Sequence, residues 1–358
     1  MTSSSRKSRL LSHVMYTNAV YWPNYRVYNG DTPGQLNYGC INRVYYAYAN
    51  VTADGGYLYL SDEWADARAP CDGVQGALGS LMHLKQRYPH LQVVLSIGGS
   101  GSAETLPIVA SNAVLRDNLG RSARGLVEAS GLDGIDIVWE YPCTPQQGND
   151  FLALVAAMRI HLPDDRYLVT AALPAAKAVL QNIDLRQTVE YLDTINLNAY
   201  DFFGHWTHKS GHHAQLYSVH GKDEPSGASA VQYLMSSGVP GKKILLGIPL
   251  FGRSFLHVTG PGHKNRGAGG DDGSGSFEYN QLPRKGTKEQ VDKRAVAAQC
   301  VGGDGGFVTY DNPDTVRTKA AFCKQKGLGG LFYSSAPSDV KDTKRSLITT
   351  GFKTLHSS

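Results

Sequence analysis

Eight short, apolar, β-rich runs separated by helix-length stretches constrain this chain of 358 residues more than any other feature of its sequence. The runs are His13-Val-Met-Tyr16, Arg43-Val-Tyr-Tyr-Ala-Tyr-Ala49, Leu91-Gln-Val-Val-Leu-Ser-Ile97, Gly134-Ile-Asp-Ile-Val138, Arg166-Tyr-Leu-Val-Thr-Ala-Ala172, Leu192-Asp-Thr-Ile-Asn-Leu-Asn198, Lys243-Ile-Leu-Leu-Gly-Ile-Pro249 and Gly330-Leu-Phe-Tyr333. Nearly continuous apolar strands alternating with helices, here residues 74–87 and 111–130 among others, belong to a parallel sheet covered on its outer face. Eight such units predict an α/β fold, a closed (β/α)8 barrel built from residues 13–254 and 313–358. The stretch 255–312 is far longer than a usual connection and contains Gly267-Ala-Gly-Gly-Asp-Asp-Gly-Ser-Gly275, which predicts a small inserted α+β lobe between strands seven and eight. Residues 1–12 are polar and are expected to be a disordered tail.

Composition narrows the function by exclusion. Lys plus Arg number 35 and Asp plus Glu 31, for a net charge of +4, and the densest basic cluster is only Arg6-Lys7-Ser8-Arg9. No nucleic-acid partner is expected from so scattered a charge. No apolar run reaches membrane-spanning length, so no membrane partner is expected either. No apolar leader follows the polar N-terminus, which predicts a cytoplasmic protein unless it leaves by an unusual route. The five cysteines, Cys40, Cys71, Cys143, Cys300 and Cys323, are widely spaced and odd in number, and suggest neither a disulfide framework nor a zinc site. His205, His208, His212 and His213 have no acid or cysteine beside them to complete a metal-ligand set. The glycine-rich segments at 267–275 and 301–306 lack the features of a phosphate cradle. The expectation is a monomer without metal or cofactor.

Active sites of such barrels lie at the C-terminal ends of the strands. The fourth run carries Asp133, Asp136 and Glu140, and the two-residue period of a strand points Asp136, Val138 and Glu140 to the same, inward side. Inward carboxyl groups are costly unless they are hydrogen-bonded or at work.

This run resembles the strand-four signature of glycoside hydrolase family 18, Asp-x-x-Asp-x-Asp-x-Glu, matched at Asp133, Asp136 and Glu140 and broken at Val138. Three further stretches resemble the family's motifs in order: Ser96-Ile-Gly98-Gly99 on strand three, Asn196-Leu-Asn-Ala-Tyr200-Asp201-Phe202 on strand six, and Gly247-Ile-Pro-Leu-Phe-Gly252-Arg253-Ser-Phe255 on strand seven. Asn18 to Tyr25 and Trp206 to Tyr217 are similar to stretches of intracellular-type fungal chitinases. The resemblance covers nearly the whole chain. It implies a substrate-assisted mechanism on β-1,4-linked N-acetylglucosamine polymers, an exception to the two-carboxylate scheme. Glu140 would protonate the glycosidic oxygen while the 2-acetamido oxygen of the sugar attacks the anomeric carbon. Tyr200 would bind that acetamide oxygen, and Asp136 would stand behind as a tuning acid. By the same resemblance Tyr16, Tyr48, Gly98, Gly99, Val138, Trp139, Asn198, Asp201, Trp206, Phe251, Arg253 and Ser334 are expected to form the substrate-binding surface.

Four positions depart from the family pattern. Val138 stands for the aspartate that orients the acetamide, Asn198 for a methionine, Phe251 for a tyrosine, and Ser334 for the platform tryptophan, unless the alignment slips and Tyr333 takes its place. Losing one preorganised group aimed at developing charge costs roughly 3–4 kcal/mol, a factor of 10²–10³ in rate. Losing the platform costs on the order of 2 kcal/mol of sugar binding. Three functions stay open: a chitinase with weak or no hydrolysis, a chitin-oligosaccharide-binding pseudoenzyme, and a barrel turned to an acid/base reaction on another small molecule with Glu140 as the acid.

Overall fold

A computed structural model describes residues 15–357, apart from 222, 271, 272 and 304. The expected N-terminal tail at 1–12 lies outside the described residues. The barrel strands are β1 (Thr17–Pro23), β2 (Arg43–Val51), β3 (Gln92–Gly98), β4 (Gly134–Val138), β5 (Leu168–Pro174), β6 (Thr194–Asn198), β7 (Ile244–Pro249) and β8 (Gly330–Ser334). They pair in parallel in the order β1-β8-β7-β6-β5-β4-β3-β2, and β1 also pairs with β2, so the sheet closes into a (β/α)8 barrel.

Two layers of core follow from the strand period. Outward residues such as Ile135, Ile137, Leu197 and Leu246 join a continuous apolar layer with the surrounding helices. Inward residues, including Ala19, Tyr21, Tyr45, Val94, Val138 and Phe332, form a separate cluster inside the barrel. The helix Ala113–Ser130 shows how the sequence sets its own limits. Asn112 caps it by accepting from the N–H groups of Val114 and Leu115, and Gly131 ends it in the left-handed conformation at φ 77°.

Two sequence expectations shift. The first strand is Thr17–Pro23 and not the run ending at Tyr16. The connection between β7 and β8 forms a five-stranded sheet, ordered Ser276–Glu278, Phe251–Phe255, Phe307–Tyr310, Ala297–Val301 and Gln290–Asp292, with antiparallel pairing throughout. Its first strand begins at Phe251, before the expected boundary at 255. Among its described residues the one helical piece is the short 3-10 turn Tyr279–Gln281, so the lobe is β-built and not α+β. Phe255, Phe307 and Val258 are its buried centre.

Candidate active site

The strand period of β4 sorts its neighbouring side chains. Asp133, just before the strand, receives Lys85 Nζ at 2.7 Å and the Val93 N–H at 2.7 Å, and ties the lower rim of the barrel together. Asp136 and Val138 point inward, and Glu140 follows beyond the strand end at the mouth. There it lines a cavity of about 550 Å³ together with Val138, Ala172, Tyr200 and Ser334.

Asp136 is fully buried beneath this cavity. Its carboxyl accepts the Tyr21 hydroxyl at 2.7 Å, the Ser96 hydroxyl at 2.9 Å and the Thr170 hydroxyl at 2.6 Å. Burial raises its pKa, and these hydrogen bonds counter part of that rise. Val138 stands between Asp136 and Glu140 along the strand and has no polar atom with which to relay a proton between the two acids.

The Glu140 carboxyl takes no hydrogen bond among the described residues. Loss of hydration raises its pKa, and the charge of Asp201 raises it further. The second effect comes from Asp201 and not from Asp136, the other acid on the inward line of the strand. Tyr141, next along the chain, is raised to about 12 by burial and by the Glu140 charge.

Across the cavity, the Tyr200 hydroxyl donates to Asn198 Oδ1 at 3.1 Å, and Ser334 lines the same cavity. Its ring meets Phe251 edge-on, with centroids 5.8 Å apart. Asp201 occupies the left-handed region at φ 60°. That turn aims its carboxylate at Arg253, which grips it with two bonds of 2.7 and 3.0 Å. Burial opposes the Asp201 charge, but His213 and Arg253 outweigh it and lower its pKa to about 2. The Arg253 guanidinium also lies 4.9 Å from the Phe251 ring centre and 5.1 Å from that of Trp206, whose indole is half exposed at the rim. His212 bonds to Thr309 at 2.9 Å, and His213 lies 3.5 Å from Asp201, so each imidazole faces an element of the fold.

The structure brings Tyr48, Val138, Glu140, Asn198, Tyr200, Asp201, Phe251, Arg253 and Ser334 to one cavity. Other expected contacts go elsewhere. Tyr16 precedes β1 at the opposite rim, its ring edge-on to His356 at 6.0 Å, because the first strand starts later than the sequence suggested. Trp139 alternates outward, is 1% exposed and packs on Phe151. Gly98 and Gly99 serve close approach: a Cβ would fall 2.1 Å from the Val138 carbonyl oxygen and 2.9 Å from the Tyr48 ring. The strand-eight register is resolved as well. Tyr333 points outward, with its hydroxyl 3.1 Å from Asn18 Oδ1, and Ser334 faces the cavity. Sequence reasoning missed Tyr21, which lines the cavity and holds Asp136; the alternation of Thr17–Pro23 would have found it once the strand was correctly placed.

The family profile described as "Glycosyl hydrolases family 18" matches residues 17–339. Chitinase 1 of Aphanocladium album is 32% identical over 371 aligned positions, covering 96% of this chain and 86% of that protein. Endochitinase 1 of Metarhizium robertsii is 34% identical, covering 90% and 82%. Among solved structures, a chitinase from Cycas revoluta in complex with (GlcNAc)3 superposes with a TM-score of 0.81 at 25% identity, covering 94% of this chain and 98% of that one. A catalytic domain of an Ostrinia furnacalis group II chitinase gives a TM-score of 0.86 at 24% identity over 95% and 96%, a likeness of fold. With a profile match across most of its length and relatives above 30% identity over nearly all of it, the chain belongs to glycosyl hydrolases family 18.

Proposed function

We propose that this protein binds oligosaccharides of the chitin type in the cavity at the barrel mouth and hydrolyses them weakly or not at all. The observation that carries this is the pairing of an unbonded, partly desolvated Glu140 with an apolar Val138 in one cavity. Glu140 is the proton donor in this proposal. The group that would orient the acetamide and balance its developing charge is missing, which costs about 10²–10³ in rate. The complex of the Cycas revoluta relative with (GlcNAc)3 supports an oligosaccharide as the ligand.

The test is a paired measurement on one preparation: binding of N-acetylchitotetraose by calorimetry and product release by mass spectrometry, for the wild type and Glu140→Gln. Binding with slow, Glu140-dependent release supports the proposal. Rapid turnover refutes the impairment, and absence of binding refutes the ligand class. A second reading, binding without any turnover, is favoured by the tie of the Tyr200 hydroxyl to Asn198, which takes a second expected substrate contact out of use. Binding with no release from either protein would decide for it.

A further inference from the structure

We infer that His213 is a positioning residue that decides which of the two cavity carboxyl groups holds the proton: by backing Asp201 it keeps that group an anion and leaves the proton to Glu140. This rests on the reading of Glu140 as the proton donor and adds the residue that secures it.

Glu140 and Asp201 both line the cavity; His213 does not. His213 is 0% exposed and lies behind the wall, its ring against that of Phe251 with centroids 5.2 Å apart. It holds the Asp201 turn in two ways. Its carbonyl oxygen accepts the Phe202 N–H at 3.0 Å, which ties down the chain just after Asp201. Its Nδ1 lies 3.5 Å from Asp201 Oδ1. Asp201 itself stands at φ 60°, a left-handed conformation uncommon for a residue with a side chain.

A buried imidazole has to direct its N–H somewhere. Neither ring nitrogen of His213 has a hydrogen-bond partner among the described residues, and 3.5 Å is longer than a good N–H to oxygen bond. Charged and titratable groups reach the ring from four places. Asp201 comes from beyond the end of β6, Arg253 from the lobe strand Phe251–Phe255, Asp311 from the segment ahead of the helix Pro313–Lys326, and His212 from its own loop. Asp311 is already matched by Lys319 at 2.6 Å and by the Thr315 hydroxyl at 2.7 Å. His212 turns away to Thr309. Arg253 has no acceptor to offer. Among these groups Asp201 is the acceptor with capacity left, because a carboxylate takes about four hydrogen bonds and Arg253 supplies two. The neutral Nδ1–H tautomer, with that N–H toward Asp201, follows. Burial pushes the His213 pKa down, so the ring is neutral at pH 7. His213 and Arg253 together hold Asp201 at about 2. Glu140 has no such partner, and burial and the Asp201 charge raise it. Two acids on one cavity are thus driven apart, and the side that carries His213 is the side that stays ionised.

Two measurements test this, and neither needs a ligand. The first is nitrogen NMR of His213 in the wild type, which should show the Nδ1–H tautomer at pH 7. The Nε2–H tautomer or a charged ring overturns the inference, and this result stands even if a variant does not fold. The second follows Asp201 and Glu140 by carboxyl-carbon NMR through an acid titration of the wild type, His213→Phe, His213→Gln and His212→Phe. In His213→Phe the gap between the two midpoints should narrow by about one pH unit, tenfold in proton affinity, through a higher Asp201 midpoint. His213→Gln keeps an N–H donor and should restore most of the gap. His212→Phe disturbs the same loop without touching Asp201 and should leave the gap as it is. A wild-type gap in His213→Phe overturns the inference. So does a gap that narrows equally in His213→Gln or in His212→Phe. A wild-type Glu140 that titrates at its ordinary value while Asp201 stays low refutes the proton-donor reading and leaves the hold of His213 on Asp201 standing.

Discussion

Restoring a carboxyl at the break in the strand-four signature is the most direct perturbation of this protein. Val138 is 3% exposed and lies inside the barrel beside the buried Asp136. In Val138→Asp the new carboxyl meets donors that are already engaged: Tyr21 holds Asp136 at 2.7 Å, and Tyr200 holds Asn198 at 3.1 Å. A buried polar group with incomplete partners costs about 1–3 kcal/mol. The stability loss has a definite sign with pH. Burial and the neighbouring acid raise the folded pKa of the introduced group above its unfolded value of about 3.9. The folded state then holds the extra proton, and stability falls as pH rises above that value. The melting temperature should therefore drop little at pH 4 and more at pH 7. The same substitution supplies the missing transition-state contact, about 3–4 kcal/mol or 10²–10³ in rate. The assay is product release from N-acetylchitotetraose by mass spectrometry at matched occupancy, with thermal melts at both pH values. A folded variant that binds the tetraose and turns over no faster refutes the assignment of Val138 as the main lesion. If adding Ser334→Trp then restores turnover, the lost platform was the cause.

Other consequences follow from the same geometry. Burial and Asp201 raise the pKa of Glu140, so its ionisation weakens the fold as pH rises above the unfolded value of 4.5. Glu140→Gln should then gain stability over the wild type at pH 8 and lose that advantage at pH 4; equal differences at both pH values would show that Glu140 is not desolvated in solution. Asp201, lowered to about 2, behaves oppositely: its contribution is present above the unfolded value of 3.8 and disappears as pH falls toward 2. Asp201→Asn should remove about 1 kcal/mol at neutral pH, a figure discounted for a side chain 35% exposed, and should flatten the acid limb of a melting curve. Tyr333→Phe should cost about 1 kcal/mol through the lost bond to Asn18 and leave tetraose binding unchanged; altered binding would mean that strand eight has the other register.

The sequence exposed the repeat of the barrel because apolar strands announce themselves wherever both faces are covered. β4 was read to the residue, and the inward line of Asp136, Val138 and Glu140 followed from a period of two. The first strand escaped because the run at 13–16 is apolar, whereas Thr17–Pro23 includes Asn18 and Pro23. Asn18 is nevertheless fully buried, donating to the carbonyls of Cys40 and Ile348, partners distant in sequence. Trp139 was assigned to the surface of the site by the family resemblance, although the alternation that placed Glu140 inward also sends Trp139 outward. The bond from Tyr200 to Asn198 spans two residues, but Ser334 reaches the same cavity from more than a hundred residues away, and no local pattern reveals that these two altered side chains line one cavity with Tyr200.

The lobe sheet begins almost where β7 ends: Pro249 closes one strand and Phe251 opens the next, with Leu250 alone between them. Phe251 and Arg253 on that lobe strand are cavity wall as well as part of the lobe sheet. The lobe is therefore not an accessory that could be trimmed or exchanged at its outer boundaries. A graft between relatives that cuts at 255 carries the wall with the barrel, and one that cuts at 250 carries it with the lobe. Two chimeras differing by five residues at the seam would inherit their ligand preference from different parents.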